Sequence, residues 1–97
     1  MRHEIIFAPV ASNDLRALRA FDRAAAKDAI EEFLRYEPEK VSKSRIKRLR
    51  RMKHPQYRLR VGELRVHYDV TPGRVVIVSV VAKADTERWL QEYGVVE

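Results

Sequence analysis

The sequence predicts an α+β domain: a small antiparallel sheet, two N-terminal helices packed on one of its faces, and a short C-terminal helix. Three observations predict it. Apolar residues recur at helical spacing between about residues 13 and 36. From Tyr57 onward apolar and polar residues alternate in two runs, 57–61 and 64–70, and a third run, "VVIVSVV" at 75–81, is almost wholly apolar and β-branched. Trp89, Leu90 and Tyr93 then return to helical spacing.

Taken in order, residues 2–8 form a short apolar strand that Pro9 closes, or Pro9 opens the next segment. Ser12, Asn13 and Asp14 are N-cap residue types ahead of Leu15, Leu18 and Phe21. Asp22 is placed to cap a second helix, with Ala26, Ile30, Phe33 and Leu34 as its apolar stripe and Lys27 one turn before Glu31. Two helices, or one long bent one, therefore run from about 13 to 36, and Pro38 ends them. Residues 39–56 are polar and basic. Ile46, Leu49 and Met52 can anchor one helical turn or a loop, and Pro55 breaks the segment. Gly62–Glu63 is a two-residue loop with glycine first, as a type II′ hairpin requires. "TPGR" at 71–74 is a second turn, and Asp85 or Thr86 is placed to cap a helix reaching about residue 93. Residues 1–97 read as a single domain without repeats.

The chain has no cysteine, which excludes disulfides and thiolate metal sites and fits a reducing, cytoplasmic setting. "MRHEIIFAPV" lacks the longer apolar region and cleavage site of a signal peptide, and no run approaches the roughly 20 apolar residues that span a bilayer. Net charge is +6, unevenly spread. Ten of the 20 Lys and Arg lie between Lys40 and Gly62, with no Asp or Glu among them. That asymmetry points to a polyanion, most simply nucleic acid; the competing reading is a solvated basic surface.

The hairpin sharpens this. A Gly62–Glu63 loop sets Val61 against Leu64, Arg60 against Arg65, Leu59 against Val66 and Arg58 against His67. One face is apolar and packs on the helices. The other places like charges directly opposite, which destabilises a sheet unless an anion relieves it. Pairing Val70 with Val75 extends that face with Val76, Val78 and Val80, an apolar floor on which bases can lie while arginines take phosphates. Alternatively, Arg58, Arg60 and Arg65 pair with Asp85, Glu87 and Glu92.

A basic loop, then "YRLRVGELRVHYDV", an apolar strand and "VVAKADTERWL", all preceded by two helices, resembles toxins of the RelE/ParE superfamily of type II toxin–antitoxin modules. The resemblance covers nearly the whole chain and implies a microbial-RNase-like fold. It also implies a cognate antitoxin and a hetero-oligomer with it, without membrane or cofactor. RelE-like members cut mRNA in the ribosomal A site; ParE-like members inhibit DNA gyrase and are not nucleases. The RelE-like branch implies a ribosome-dependent endoribonuclease in which the ribose 2′-hydroxyl attacks the adjacent phosphate. Its catalytic residues map to Arg58, Arg60 and Arg65. Where a Lys–Arg pair is typical, this chain has Lys83–Ala84, so Lys83 stands in; the family tyrosine falls on Leu90, and Tyr93 lies one turn on. Lys47, Arg48, Arg51 and Lys53 are the expected RNA-binding residues. The gyrase-directed toxin and a non-catalytic nucleic-acid-binding module are the competing functions.

Such chemistry needs proton transfer and stabilisation of charge growing on phosphorus. Arginine suits the latter, through its bidentate fork. Lys83 can serve as a base where clustered cations favour its neutral form, and His67 has the intrinsic chemistry for either proton role. His3, His54 and His67 are scattered without matching carboxylates, so no metal site is expected. Trp89 and Tyr93 either close the core or offer an antitoxin a landing site.

Overall fold

The computed structural model describes residues 1–97. In chain order it contains β1 (Glu4–Phe7), α1 (Pro9–Ala17), α2 (Ala20–Leu34), β2 (Ile46–Arg48), β3 (Met52–His54), β4 (Tyr57–Val61), β5 (Leu64–Thr71) and β6 (Arg74–Ala82). A 3-10 turn (Lys83–Asp85), α3 (Thr86–Tyr93) and β7 (Val95–Val96) complete it. The main sheet runs β1-β6-β5-β4-β2. It is antiparallel except at β1, which pairs parallel with β6 from Glu4↔Arg74 to Phe7↔Ile77. β6 is therefore paired on both edges, which its almost wholly apolar run anticipates.

The helices start earlier than cap residues suggest. Pro9 occupies the first turn of α1, where its missing N–H costs nothing. Ser12, Asn13 and Asp14 lie within the helix. Leu18 and Arg19 are both extended, so α2 begins on a new phase. Leu15 stays in the core while Phe21 is 79% exposed, against the single stripe expected from spacing. Arg23 crosses the break. Its Nε donates to Leu15 O at 3.0 Å and its Nη2 to Leu18 O at 2.7 Å, satisfying carbonyls at the end of α1. Asp22 caps nothing with its side chain.

Ala11, Leu15, Ala26, Ala29, Ile30 and Leu34 of the helices pack on one sheet face. From the sheet come Ile46, Tyr57, Leu59, Val61, Val66, Tyr68, Val75, Ile77 and Val80. Tyr68, fully buried, stacks on Tyr57 with ring centroids 5.4 Å apart and donates its hydroxyl to Pro38 O at 2.6 Å. That bond fixes the chain just beyond α2.

The segment expected to hold a helical turn or loop instead holds two three-residue strands. β2 adds to β4 through Ile46↔Leu59 and Arg48↔Tyr57. β3 pairs with β7, forming a separate two-stranded sheet at the C-terminus. Strands this short show too little alternation to be read locally. Gly94 makes the turn from α3 into β7, where a Cβ would strike Met52 Cε and the Leu90 carbonyl.

Candidate nucleic-acid interface

The Gly62–Glu63 turn forms as its residues predict, with Gly62 at φ +57°. It imposes the expected register: Val61↔Leu64, Arg60↔Arg65, Leu59↔Val66 and Arg58↔His67. Cross-strand rows then run over the face turned away from α1 and α2. One is Lys47–Arg58–His67–Ser79; the next is Arg60–Arg65–Val81.

The floor differs from expectation. The β5–β6 register shifts at His67/Tyr68, so that Tyr68 opposes Ile77 while His67 opposes Ser79, leaving Val78 without a partner. One extra residue inverts side-chain parity beyond it. Val80 consequently enters the core, and Ser79 and Val81 take the places expected of apolar floor residues.

None of Arg58, Arg60 and Arg65 forms an ion pair. The acids of the C-terminal segment do not reach them; Asp85 bonds Arg88 instead. Burial, reinforced by the charges of Arg65 and Arg60, pulls the Arg58 guanidinium below its ordinary pKa. Its Nε is buried without a partner. This is an uncompensated cationic cluster. Arg60 is exposed, and with Ser44, Arg45 and Gly62 it borders a cavity of about 340 Å³.

Arg65 is less open than the sequence suggests. It is 6% exposed, and its Nη1 donates to Gly62 O at 2.9 Å and to Leu64 O at 2.8 Å. It braces the turn as well as adding charge. Lys83 is exposed at the same end of the sheet, where its backbone N–H donates to Glu63 O at 2.7 Å.

α3 lies over the other end of this face. Trp89 stacks on His67, centroids 4.9 Å apart and planes 11° from parallel. It thus roofs the cationic face rather than closing the helix-side core. His67 is fully buried, and its Nδ1 lies 2.9 Å from Ser79 Oγ. Burial, aided by Arg58, drives its pKa down to about 4. Burial thus favours the uncharged ring, packed beneath Trp89. Tyr93, exposed, sits 5.5 Å from Trp89.

The four expected RNA-binding residues do not form one patch. Lys47 is exposed on the same face as Arg58; Lys53 and Arg51 are also exposed. Arg48 alternates to the other face and lies over the Tyr57 ring. Its Nη1 donates to Leu49 O at 2.8 Å, Met52 O at 3.2 Å and Gln56 O at 2.9 Å. It is a latch for the β2–β4 connection, and its Nη2 also lies 3.8 Å from Glu97 Oε1.

Sequence reasoning missed a second polar group. His54 Nδ1 is hydrogen-bonded to Asp69 Oδ2, and Asp69 Oδ1 accepts the Gln56 N–H at 2.8 Å. The period-two pattern places Asp69 on the arginine face, but nothing in the spacing brings His54 to it. Asp14, a helix cap by residue type, has another role. Its Oδ2 accepts the Val80 N–H at 3.0 Å, just past the bulge.

A sequence profile described as "ParE toxin of type II toxin-antitoxin system, parDE" matches residues 5–86. No functionally curated protein matches the chain. Among solved structures, a chain of the toxin–antitoxin complex RelBE2 from Mycobacterium tuberculosis is 27% identical, with TM-score 0.72, over 84% of this chain and 99% of that one. The RelB–RelE antitoxin–toxin complex from Methanococcus jannaschii gives 24% identity and TM-score 0.66, over 87% and 96%. A mutant of the E. coli toxin RelE, in the free state, gives 21% and 0.57, over 92% of each chain. The chain belongs to the ParE toxin family of type II toxin–antitoxin systems, within the RelE/ParE superfamily.

Proposed function

We propose that this toxin is a ribosome-dependent endoribonuclease that acts in the cytoplasm, cleaves mRNA and is neutralised by a cognate antitoxin bound as a hetero-oligomer. The observation behind the reading is the row of arginines on the outer sheet face, held together without a carboxylate and at an electrostatic cost visible on Arg58. A cluster kept at such a cost is suited to an anion whose charge increases during reaction. The 2′-hydroxyl attacks the adjacent phosphorus, the 5′-oxygen leaves, and a cyclic phosphate and a 5′-hydroxyl remain. Arg58, Arg60 and Arg65 grip the phosphate, Lys83 stands at the same end of the sheet for proton transfer, and Tyr93 contacts the RNA from α3. Lys47, Arg51 and Lys53 add affinity for ribosomal or messenger phosphates.

A gyrase-directed role is the second reading. Two features favour it: the ParE description of the matching family, and Ala84 and Leu90 standing where RelE-like toxins have arginine and tyrosine. Controlled expression in a cell-free translation system, with mapping of mRNA 5′ ends, separates the two. Cleavage within codons only when ribosomes are present upholds the ribonuclease. Intact mRNA together with inhibited DNA supercoiling by gyrase upholds the alternative.

A further inference from the structure

Between α1, β6 and α3 lies a cavity of about 500 Å³, bordered by Val10, Asp14, His54, Val78, Trp89 and Tyr93. We propose that it is a nucleobase subsite for a base presenting two adjacent N–H donors, guanine above all. The proposal rests on the ribonuclease reading and adds to it a specificity determinant.

The lining has the make-up that recognises an unstacked base, with aromatic rings for its face and fixed polar atoms for its edge. Trp89 and Tyr93 form one wall, 5.5 Å apart at 42°. The indole is held in place because it also stacks on His67. Val10 and Val78 supply apolar surface, and Val78 is available because the bulge frees it from cross-strand pairing.

The two polar residues at the cavity can each offer an acceptor to a ligand. Asp14 uses Oδ2 for the Val80 N–H, and Oδ1 has no partner. Burial raises its pKa, against the opposing effect of that bond, as befits a carboxylate short of hydrogen bonds. His54 is oriented by Asp69. With Asp69 taking the Nδ1 hydrogen, Nε2 of the uncharged ring is left as an acceptor. Two acceptors call for two donors. The guanine edge provides N1–H beside the N2 amino group, whereas uracil provides one N–H flanked by carbonyl oxygens that would face other acceptors.

The placement matches the phosphate site. Asp69 lies two residues along β5 from His67, about 7 Å on the same face, and His67 pairs with Arg58. Trp89 on the cavity wall stacks on His67, the cross-strand partner of Arg58, so the cavity adjoins the proposed phosphate site.

Trp89 is the only tryptophan, so its emission reports directly on the cavity. The test titrates the full chain with the trinucleotides UGU, UAU, UCU and UUU, 2′-O-methylated to prevent cleavage. UGU should quench saturably with a Kd lower than that of UUU by roughly tenfold or more. Asp14→Asn keeps a carbonyl oxygen for the Val80 N–H but turns an acceptor into a donor, so the preference for UGU should collapse. Exposed Tyr93→Leu, which leaves the core untouched, should weaken all four by several-fold and retain the ranking. Equal Kd values for the four, no saturable quenching, or an Asp14→Asn variant that still prefers UGU would overturn the subsite. Mapped mRNA cleavage without guanine preference ends the subsite and leaves the ribonuclease. Guanine-selective binding without ribosome-dependent cleavage leaves the subsite and ends the ribonuclease.

Discussion

Replacing Arg65 by alanine should separate stability from the proposed activity. The folded protein loses two hydrogen bonds, to Gly62 O and Leu64 O. Bonds from a charged donor are each worth about 1.5–3 kcal/mol when buried. Gly62 is exposed, however, and truncation opens both carbonyls to water, so hydration offsets most of that cost. Against it stands relief of repulsion: Arg65 is the first of the two arginines that depress Arg58. The net change in unfolding free energy should be about 1 kcal/mol or less, a shift in Tm of roughly 4–8 °C at most for a domain of this size. Activity should fall much further. A donor removed from a transition-state anion costs about 2.7–4 kcal/mol, or on the order of 100- to 1,000-fold in rate. Arg65→Lys should recover only part, since a point charge lacks the fork. Urea unfolding measures the first quantity and mRNA cleavage in translating extract the second. An Arg65→Ala protein that stays folded and cleaves at the wild-type rate would refute the phosphate-gripping role. One that unfolds outright would make Arg65 a brace for the hairpin and nothing more.

Other perturbations follow from the same geometry. His67 has a folded pKa of about 4 against an ordinary 6.5, so between those values the unfolded chain binds more protons. Its contribution is complete above pH 6.5 and is lost as pH falls towards 4, by about 3 kcal/mol. His67→Leu should flatten that part of the stability–pH curve, and an unchanged slope would contradict burial of the ring. Arg48→Ala should cost about 1–3 kcal/mol in urea unfolding, through the carbonyls of Leu49, Met52 and Gln56, while leaving the salt dependence of RNA association unchanged. Lys47→Gln with Lys53→Gln should do the reverse. Filter binding at several salt concentrations should show the log–log slope reduced by roughly 0.7–0.9 for each phosphate no longer neutralised.

What was legible in the sequence is what short-range chemistry decides. The Gly62–Glu63 loop fixed the hairpin register, since a glycine in first place takes the positive φ of a two-residue turn whose twist matches the strands. Register in turn set Arg60 against Arg65 and put both on the face away from the helices. Ten cations between Lys40 and Gly62, without an acid, marked the region of the proposed anion site. Tertiary structure decided the rest, wherever a partner lies far along the chain. Tyrosine, arginine and histidine are ambiguous until their neighbours are known. Arg48 became a latch because alternation on β2 turned it from Lys47, and Arg65 a brace because its guanidinium reaches back to its own turn. One unpaired residue at Val78 inverted the outer floor, an event that no regular alternation announces in a run apolar at every position but Ser79. Asp14, His54 and Trp89 share a cavity only because α1, β3 and α3 fold onto one rim of the sheet, and separations of 15 residues or more carry no periodic signal of that meeting.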